Sequence, residues 1–302
     1  MSMARDRKTT LQHRLEYGAA RAAQTIICAL PAGAARGVGA ALGRFAFDAL
    51  KLRRVVVMRH LERIFGDRYG REELTEIARE SYRNFGRMTF EYMRFPRMTP
   101  GEVESLITVT GGEHISEALD RGRGAVLVAG HFGNWETLAM LASKGYPITF
   151  LVGEQHNLLV DGMMNRLRSR FGGELVPVTG NLMGVLRALR QNRVVCMLSD
   201  QDAGGNGVFV EFLGKPASTP FGPGRMSEST GAPLLPCGIV RHGGGAHEIV
   251  VRPPVDVPDD LPKDERVRLL TQGYTDEFAR FIRERPDLYF WMHRRWKTSP
   301  PE

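Results

Sequence analysis

The stretch Ala125-Val126-Leu127-Val128-Ala129-Gly130-His131-Phe132-Gly133-Asn134-Trp135-Glu136 decides how this chain is read. Five apolar residues without polar alternation describe a strand covered on both faces of a parallel sheet, and Gly130 then releases the chain into a turn. Asn134 is placed to cap a following helix, and Leu138, Leu141 and Ala142 recur at helical spacing. A helix is therefore predicted from about Trp135 to Lys144, with His131 ahead of it and Glu136 in its first turn. A glutamate bonded to one imidazole nitrogen would fix the tautomer and leave the other nitrogen free to take a proton from a hydroxyl. Such a general base contributes about 10²–10⁴-fold to a rate. The same residues also fit a plainer arrangement, in which His131 closes the turn and Glu136 favours the helix N-terminus through its dipole.

Downstream the pattern alternates. Residues 148–152 read as extended, 158–171 as helical, 175–178 as extended, 182–191 as helical and 194–198 as extended. This predicts an α/β fold with a central, mostly parallel sheet and crossover helices. Sheets of that kind bind ligands beyond the C-terminal ends of their strands. His131, Glu154 and Asp200 each follow one of the predicted strands, so three polar groups are expected at one edge.

The His131-Phe132-Gly133-Asn134-Trp135-Glu136 stretch resembles the signature of the late acyltransferases of lipid A biosynthesis, within the glycerolipid acyltransferase superfamily. The likeness extends to Asn157 and the run leading to Arg166, Arg168 and Arg170, and to Ser199-Asp200-Gln201-Asp202. It continues through 208–217, Ser229-Thr230-Gly231-Ala232-Pro233 and the tail Trp291-Met292-His293-Arg294-Arg295-Trp296-Lys297, so it covers nearly the whole chain. The resemblance implies a glycerolipid-acyltransferase-like domain preceded by N-terminal membrane-associated helices, at the cytoplasmic face of the bacterial inner membrane. It also implies transfer of a fatty-acyl chain from acyl carrier protein, with acyl-CoA as the alternative donor, to a hydroxyl of an anionic lipid. A lipid A precursor is the first acceptor to consider; related enzymes acylate lysophospholipids or glycolipid mannose. No cofactor is expected beyond the phosphopantetheine or CoA that carries the acyl chain.

Site residues follow from the same likeness. His131 and Glu136 are the expected base and its orienting partner, Arg168 binds a phosphate or the oxyanion, and Asp200 lies near His131, holding an arginine or orienting the acceptor. Asn134, Arg166, Arg170, Asp202, Arg294 and Arg295 are expected to bind substrate. On a helix, Arg166 and Arg170 share a face with Arg168 roughly opposite, and a solvated basic face accounts equally for the first two. A turn role suits Asp202 nearly as well. Direct attack of the acceptor on the thioester needs no acyl-enzyme, and the chain contains no G-x-S-x-G elbow. Besides Arg168, backbone amides near Trp135 are candidates for the oxyanion. A non-catalytic lipid-binding homologue is the contrasting reading.

At 302 residues with 42% hydrophobic composition the chain can bury a sizeable core, and its net charge of +7 favours anionic partners, among them an acidic protein, phosphorylated lipid or nucleic acid, between which charge alone does not choose. Cys28, Cys196 and Cys237 are widely spaced and make no metal-ligand pattern, so no metal is expected. Neither an RNP-type motif nor zinc-finger spacing is present, which speaks against nucleic acid. Residues 1–14 are basic, and 22–35 are small and apolar between Arg21 and Arg36, with Pro31 inside the run. A bilayer span needs about 20 apolar residues. An interfacial hairpin, with Arg14, Arg21, Arg36, Arg44, Lys51, Arg53 and Arg54 against anionic headgroups, fits better; a helical cap on the core is the alternative. This divides the chain into an N-terminal segment, 1–54, and an acyltransferase domain, 55–302, whose residues 55–105 form a helical lead-in. Within the lead-in, Tyr82, Phe85, Met88, Phe90, Tyr92, Met93 and Phe95 either line an acyl groove or fill the core. The mixture of aromatics and cations in 290–297 suits a membrane interface or a polyanion.

Overall fold

The computed structural model describes residues 10–178 and 182–300, so the first nine residues of the basic N-terminal stretch lie outside it. Helices α1 (Leu11–Ala29) and α2 (Ala32–Asp48) are separated by a break at Leu30-Pro31 and do not pack on each other as a hairpin. The lead-in is α3 (Arg54–Phe65), the long α4 (Arg71–Met93) and α5 (Pro100–Leu106). Then come β1 (Ile107–Thr110), α6 (Gly112–Asp120), β2 (Ala125–Ala129), β3 (Ile148–Val152), α7 (Leu158–Arg168), β4 (Glu174–Pro177), α8 (Leu182–Arg190) and β5 (Val194–Leu198). A hairpin of β6 (Val208–Phe212) and β7 (Lys215–Thr219) leads to α9 (Gly222–Thr230), β8 (Leu234–Arg241), β9 (His247–Val251) and α10 (Lys263–Glu284).

Seven strands form one sheet in the order β1-β9-β8-β2-β5-β3-β4, and every neighbouring pair is parallel except β8 with β9. Strand β2 sits in the middle, which is why it reads as an unbroken apolar run. Its residues alternate between two cores: Val126 and Val128 pack on one face with Val195, Met197 and Leu234, and Ala125, Leu127 and Ala129 on the other with Cys196, Leu235 and Cys237. The predicted strands at 125–129, 148–152 and 194–198 match β2, β3 and β5, and the next lies one residue earlier, at Glu174–Pro177.

The segment Trp135–Lys144 is helical as expected but winds as a 3-10 helix, with the Thr137 amide on the Asn134 carbonyl at 3.0 Å. Three residues per turn rotates successive side chains by about 120° rather than 100°, and this changes where Glu136 points.

Helix α2 packs on the lead-in, with Ala35, Gly39, Ala40, Gly43 and Phe47 buried along α4, while α1 lies against α7 and α4, so the expected interfacial hairpin is two helices that dock separately. Leu11, Leu15 and Ile26 of α1 and Val38, Leu42 and Phe45 of α2 stay exposed. Among the described residues no helix is long and apolar enough to cross a membrane. In the lead-in, Tyr82, Met88, Tyr92 and Phe95 are core, whereas Phe85, Phe90 and Met93 are only half-buried.

Candidate active site

Strands β2 and β5 are direct neighbours in register, Ala129 beside Leu198, so the turns that leave them arrive together. His131 Nδ1 donates to Asp200 Oδ1 at 2.7 Å, and the His131 backbone amide donates to Asp200 Oδ2 at 2.9 Å. One carboxylate thereby fixes both the ring and the chain of His131. Its acceptor character requires the proton on Nδ1 and leaves Nε2 with a free lone pair. Nε2 is 3.5 Å from the Gln201 carboxamide nitrogen. Asp200 is 2% exposed at its side chain and His131 21%, so the acceptor is buried and the imidazole reachable.

Burial by itself would push the imidazole toward neutrality; the Asp200 charge and hydrogen bond outweigh it and raise His131 above its ordinary 6.5. Burial likewise works to raise Asp200, but its contacts with His131 win and hold it below the usual carboxylate range. Two glycines make this geometry possible. A Cβ on Gly130 would stand 3.2 Å from the Asp200 carboxyl carbon, and Gly133 has φ +64° with its Cβ position 1.8 Å from the Ile239 carbonyl oxygen of β8.

Glu136 does not orient His131, and the expectation that it would is corrected here. Trp135 lies against the imidazole, ring centroids 4.9 Å apart, and the next residue of a 3-10 helix turns away toward α7. There both Glu136 oxygens accept from Arg168, Nε at 2.9 Å and Nη2 at 2.7 Å. Arg168, whose guanidinium is also 5.9 Å from the Tyr92 ring, is committed to Glu136 instead of standing open for a phosphate. Arg166 and Arg170 are exposed and Arg168 is turned inward, although α7 ends at Arg168 and Arg170 lies in a 3-10 turn beyond the helix that was expected to hold all three. The pair is largely buried, 8% exposed at Glu136 and 17% at Arg168. The Glu136 charge also contributes to raising His131, after the stronger influence of Asp200.

Beneath the 131–134 loop lies a charged network that the sequence reading did not find. Arg241 of β8 binds Glu91 of α4 through both guanidinium ends at 2.7 Å and places Nε 2.8 Å from the Asn84 carboxamide oxygen. Asn84 donates to the Gly133 carbonyl, and Asn134 donates to Glu91 at 2.8 Å. Burial works to raise Glu91, yet the Arg241 and His247 contacts dominate and bring it down to about 2. Asn134 therefore gives the helix no side-chain cap: it is buried, ties the loop to the network and lines a cavity of about 240 Å³ with Glu91, Thr137 and His247. The available signal was Glu91 itself, a carboxylate three residues past buried Met88 on the core face of α4. Phe290 was also missed. Its amide donates to the His131 carbonyl at 2.9 Å, and its ring forms an aromatic wall with Phe85 and Trp135 beside the imidazole.

The remaining predicted residues separate. Asp200 meets His131 as expected, but it holds that histidine and no arginine. Glu154, the third strand-exit group, is exposed and does not join them. Asp202 accepts from the Thr298 amide and hydroxyl and from the Gly204 amide, the turn role. Arg295 is corrected from a substrate contact to a structural tie: it is 1% exposed, donates to the Ser218 carbonyl at 2.6 Å and the Thr219 hydroxyl, and lies over the Phe212 ring. Arg294 is exposed and lines a cavity with Arg53, Asp202, His293 and Lys297. Cys196 and Cys237 are core residues, and burial pushes the Cys237 thiol up to about 12.

A family model described as bacterial lipid A biosynthesis acyltransferase matches residues 6–298. The sequence is 29% identical over 280 residues to a phosphatidylinositol mannoside acyltransferase of Mycolicibacterium smegmatis, spanning 90% of this chain and 88% of that protein. It is 31% identical over 233 residues to a protein of the same name from Mycobacterium tuberculosis, spanning 74% and 71%. With the lipid A biosynthesis palmitoleoyltransferase of Escherichia coli it shares 25% identity over 266 residues, spanning 87% and 85%.

Proposed function

Because this chain belongs to the bacterial lipid A biosynthesis acyltransferase family, we propose that it is an O-acyltransferase in which His131 acts as general base on the hydroxyl of a glycolipid acceptor. The observation that carries the reading is the Asp200–His131 pair, which leaves Nε2 as the acceptor nitrogen of a partly exposed imidazole beyond the C-terminal end of a central strand. In the proposed reaction Nε2 takes the hydroxyl proton while the oxygen attacks the thioester carbonyl. The tetrahedral intermediate then expels the thiolate, which recovers the proton from Nε2, so an ester and a thiol are the products. The Gln201 carboxamide, 3.5 Å from Nε2, is the first candidate to donate to the oxyanion. Glu136 and Arg168 neutralise each other and hold the helix start; the reaction as proposed draws on no group beyond the donor's thioester arm.

The donor is proposed to be acyl carrier protein, which a basic chain attracts if the carrier is acidic. For the acceptor, the family points to a lipid A precursor. A mannose hydroxyl of a phosphatidylinositol mannoside is the second reading, favoured by the higher identity to proteins of that name. The exposed apolar residues of α1 and α2, flanked by Arg44, Lys51, Arg53 and Arg54, support docking on an anionic membrane surface, proposed to be the cytoplasmic face of the inner membrane.

The test is acyl transfer from labelled acyl carrier protein or acyl-CoA to lipid A precursors, phosphatidylinositol mannosides and lysophospholipids. Transfer to one acceptor that collapses in folded His131→Ala is the expected result. Undiminished transfer by that variant would refute the His131 mechanism, and no transfer by wild type would favour a non-catalytic homologue.

A further inference from the structure

Cavities lined by three or more cations include two, beside the helices and the tail, whose charge balance differs. The larger, about 780 Å³ beside α2 and α4, is lined by six arginines. Five of them are already paired: Arg44 with Asp48, Arg83 and Arg87 with Glu80, Arg241 with Glu91, and Arg285 with Asp287. The smaller, about 480 Å³, is lined by Arg53, Asp202, His293, Arg294 and Lys297. Among the described residues, none of Arg53, Arg294 and Lys297 forms a salt bridge, and Asp202 is occupied by Thr298 and the Gly204 amide. Three cations therefore face one carboxylate, an excess of positive charge on the cavity wall. Unneutralised cations converging on one cavity are an anion site in electrostatic terms.

Its position ties it to the candidate active site. Asp202 is two residues beyond Asp200, and His293 lies within electrostatic reach of both Asp200 and His131. The His293 Nδ1 atom is buried without a hydrogen-bond partner. Arg53 reaches the cavity from a loop under backbone strain: Lys51 and Arg53 are both non-glycine residues in the left-handed region, φ +52° and +53°. That conformation is held from both sides, by Tyr82 donating to the Leu52 carbonyl and by Arg53 Nη1 donating to the Met292 carbonyl at 3.2 Å. The same loop turns Leu50 and Leu52 outward, 55% and 53% exposed, with Val55 at 71% close behind. One short segment thus presents an apolar tip and brings to the cavity rim a guanidinium that has no acidic partner among the described residues, as a segment at a lipid–water boundary would.

We propose that the cavity formed by Arg53, His293, Arg294 and Lys297 binds a phosphate group of a lipid-bound reactant and seats it beside His131. This rests on the acyltransferase reading and extends it to the headgroup. The phosphate is carried by the glycolipid acceptor or by the pantetheine arm of the donor.

Two measurements on the full-length protein test this. In calorimetric titration, sn-glycerol 3-phosphate is expected to bind wild type and to bind Arg294→Ala/Lys297→Ala at least about tenfold more weakly, the loss of roughly one charge-assisted contact. Both side chains are exposed, so the variant is expected to fold. Equal affinity, or no binding to wild type, overturns the proposal. In acyl transfer, phosphorylated and dephosphorylated forms of one acceptor are compared, as are carrier-protein and bare acyl-pantetheine donors. A selective loss of preference for the phosphorylated acceptor supports the site and assigns the phosphate to the acceptor. A selective loss of preference for the phosphate-bearing donor supports it and assigns the phosphate to the donor. Unchanged preferences in both comparisons overturn it. Glycerophosphate binding that depends on Arg294 and Lys297 in a protein that transfers no acyl chain would sink the acyltransferase reading and leave the phosphate site standing.

Discussion

The carboxylate that grips His131 belongs to Asp200, 69 residues away in sequence, with Nδ1 2.7 Å from Oδ1. Glu136, five residues from the histidine, faces Arg168 instead. The two acidic residues consequently make different predictions when neutralised.

In wild type, His131 is held above 6.5, so the base is protonated at low pH and activity climbs as pH rises through that elevated value. Asp200→Asn removes the opposing charge. The acid limb of kcat/KM is expected to move to lower pH, and the plateau to fall about 10²–10⁴-fold because the tautomer is no longer enforced. A pH–rate profile decides it; an unmoved limb would disconnect Asp200 from the base.

Glu136→Gln should shift that limb in the same direction but less, since Glu136 acts on His131 only through space. Its main effect is on stability. Removing either partner of this largely buried pair is expected to cost roughly 3 kcal/mol, and the double-mutant cycle with Arg168→Gln to show a coupling of about 1–3 kcal/mol. Urea unfolding of the four proteins measures it, and additivity would break the assigned pairing.

Gly133→Ala places a methyl group where the Ile239 carbonyl stands and forces an L-residue to φ +64°. The loop must shift, and a displacement near 1 Å is expected to lower activity about 10²-fold. Circular dichroism should report a retained fold, because the loop at 131–134 can move off the Ile239 carbonyl while β8 stays paired with β2 and β9. Full activity in this variant would show that the loop geometry is not needed.

Glu91 titrates at about 2 in the folded protein against an ordinary 4.5. A depressed carboxylate stabilises above its unfolded pKa and loses that contribution as pH falls through the folded one, here roughly 3 kcal/mol between about pH 4.5 and 2. Glu91→Gln is expected to be the less stable protein at neutral pH, with the gap to wild type narrowing on acidification. Urea midpoints across that range test it; a constant gap would mean that the Glu91 charge carries no stability.

Leu42 and Phe45 stand exposed on one face of α2. If that face meets lipid, Leu42→Ser/Phe45→Ser should weaken sedimentation with anionic vesicles by at least about tenfold, given about 0.8 kcal/mol per buried methylene. Unchanged vesicle binding would remove α2 from the membrane contact.

Local pattern determined a good deal about this protein. An unbroken apolar run identified β2 as a buried central strand, the alternation that follows located β3, α7, β4, α8 and β5, and helical spacing set Arg168 opposite Arg166. These are properties of a few consecutive residues, governed by side-chain period and backbone preference. His131 and Asp200 were each recognised at a strand exit, but their bond depends on β5 lying beside β2 in the sheet, and strand order is not a local quantity. The partner of Glu136 was likewise decided in three dimensions, by a 3-10 rather than α winding that turns its side chain from the imidazole to α7. Asn134, Arg295 and the Glu91–Arg241 network became intelligible only with burial, because a polar group withdrawn from water must find its partner wherever the fold brings one.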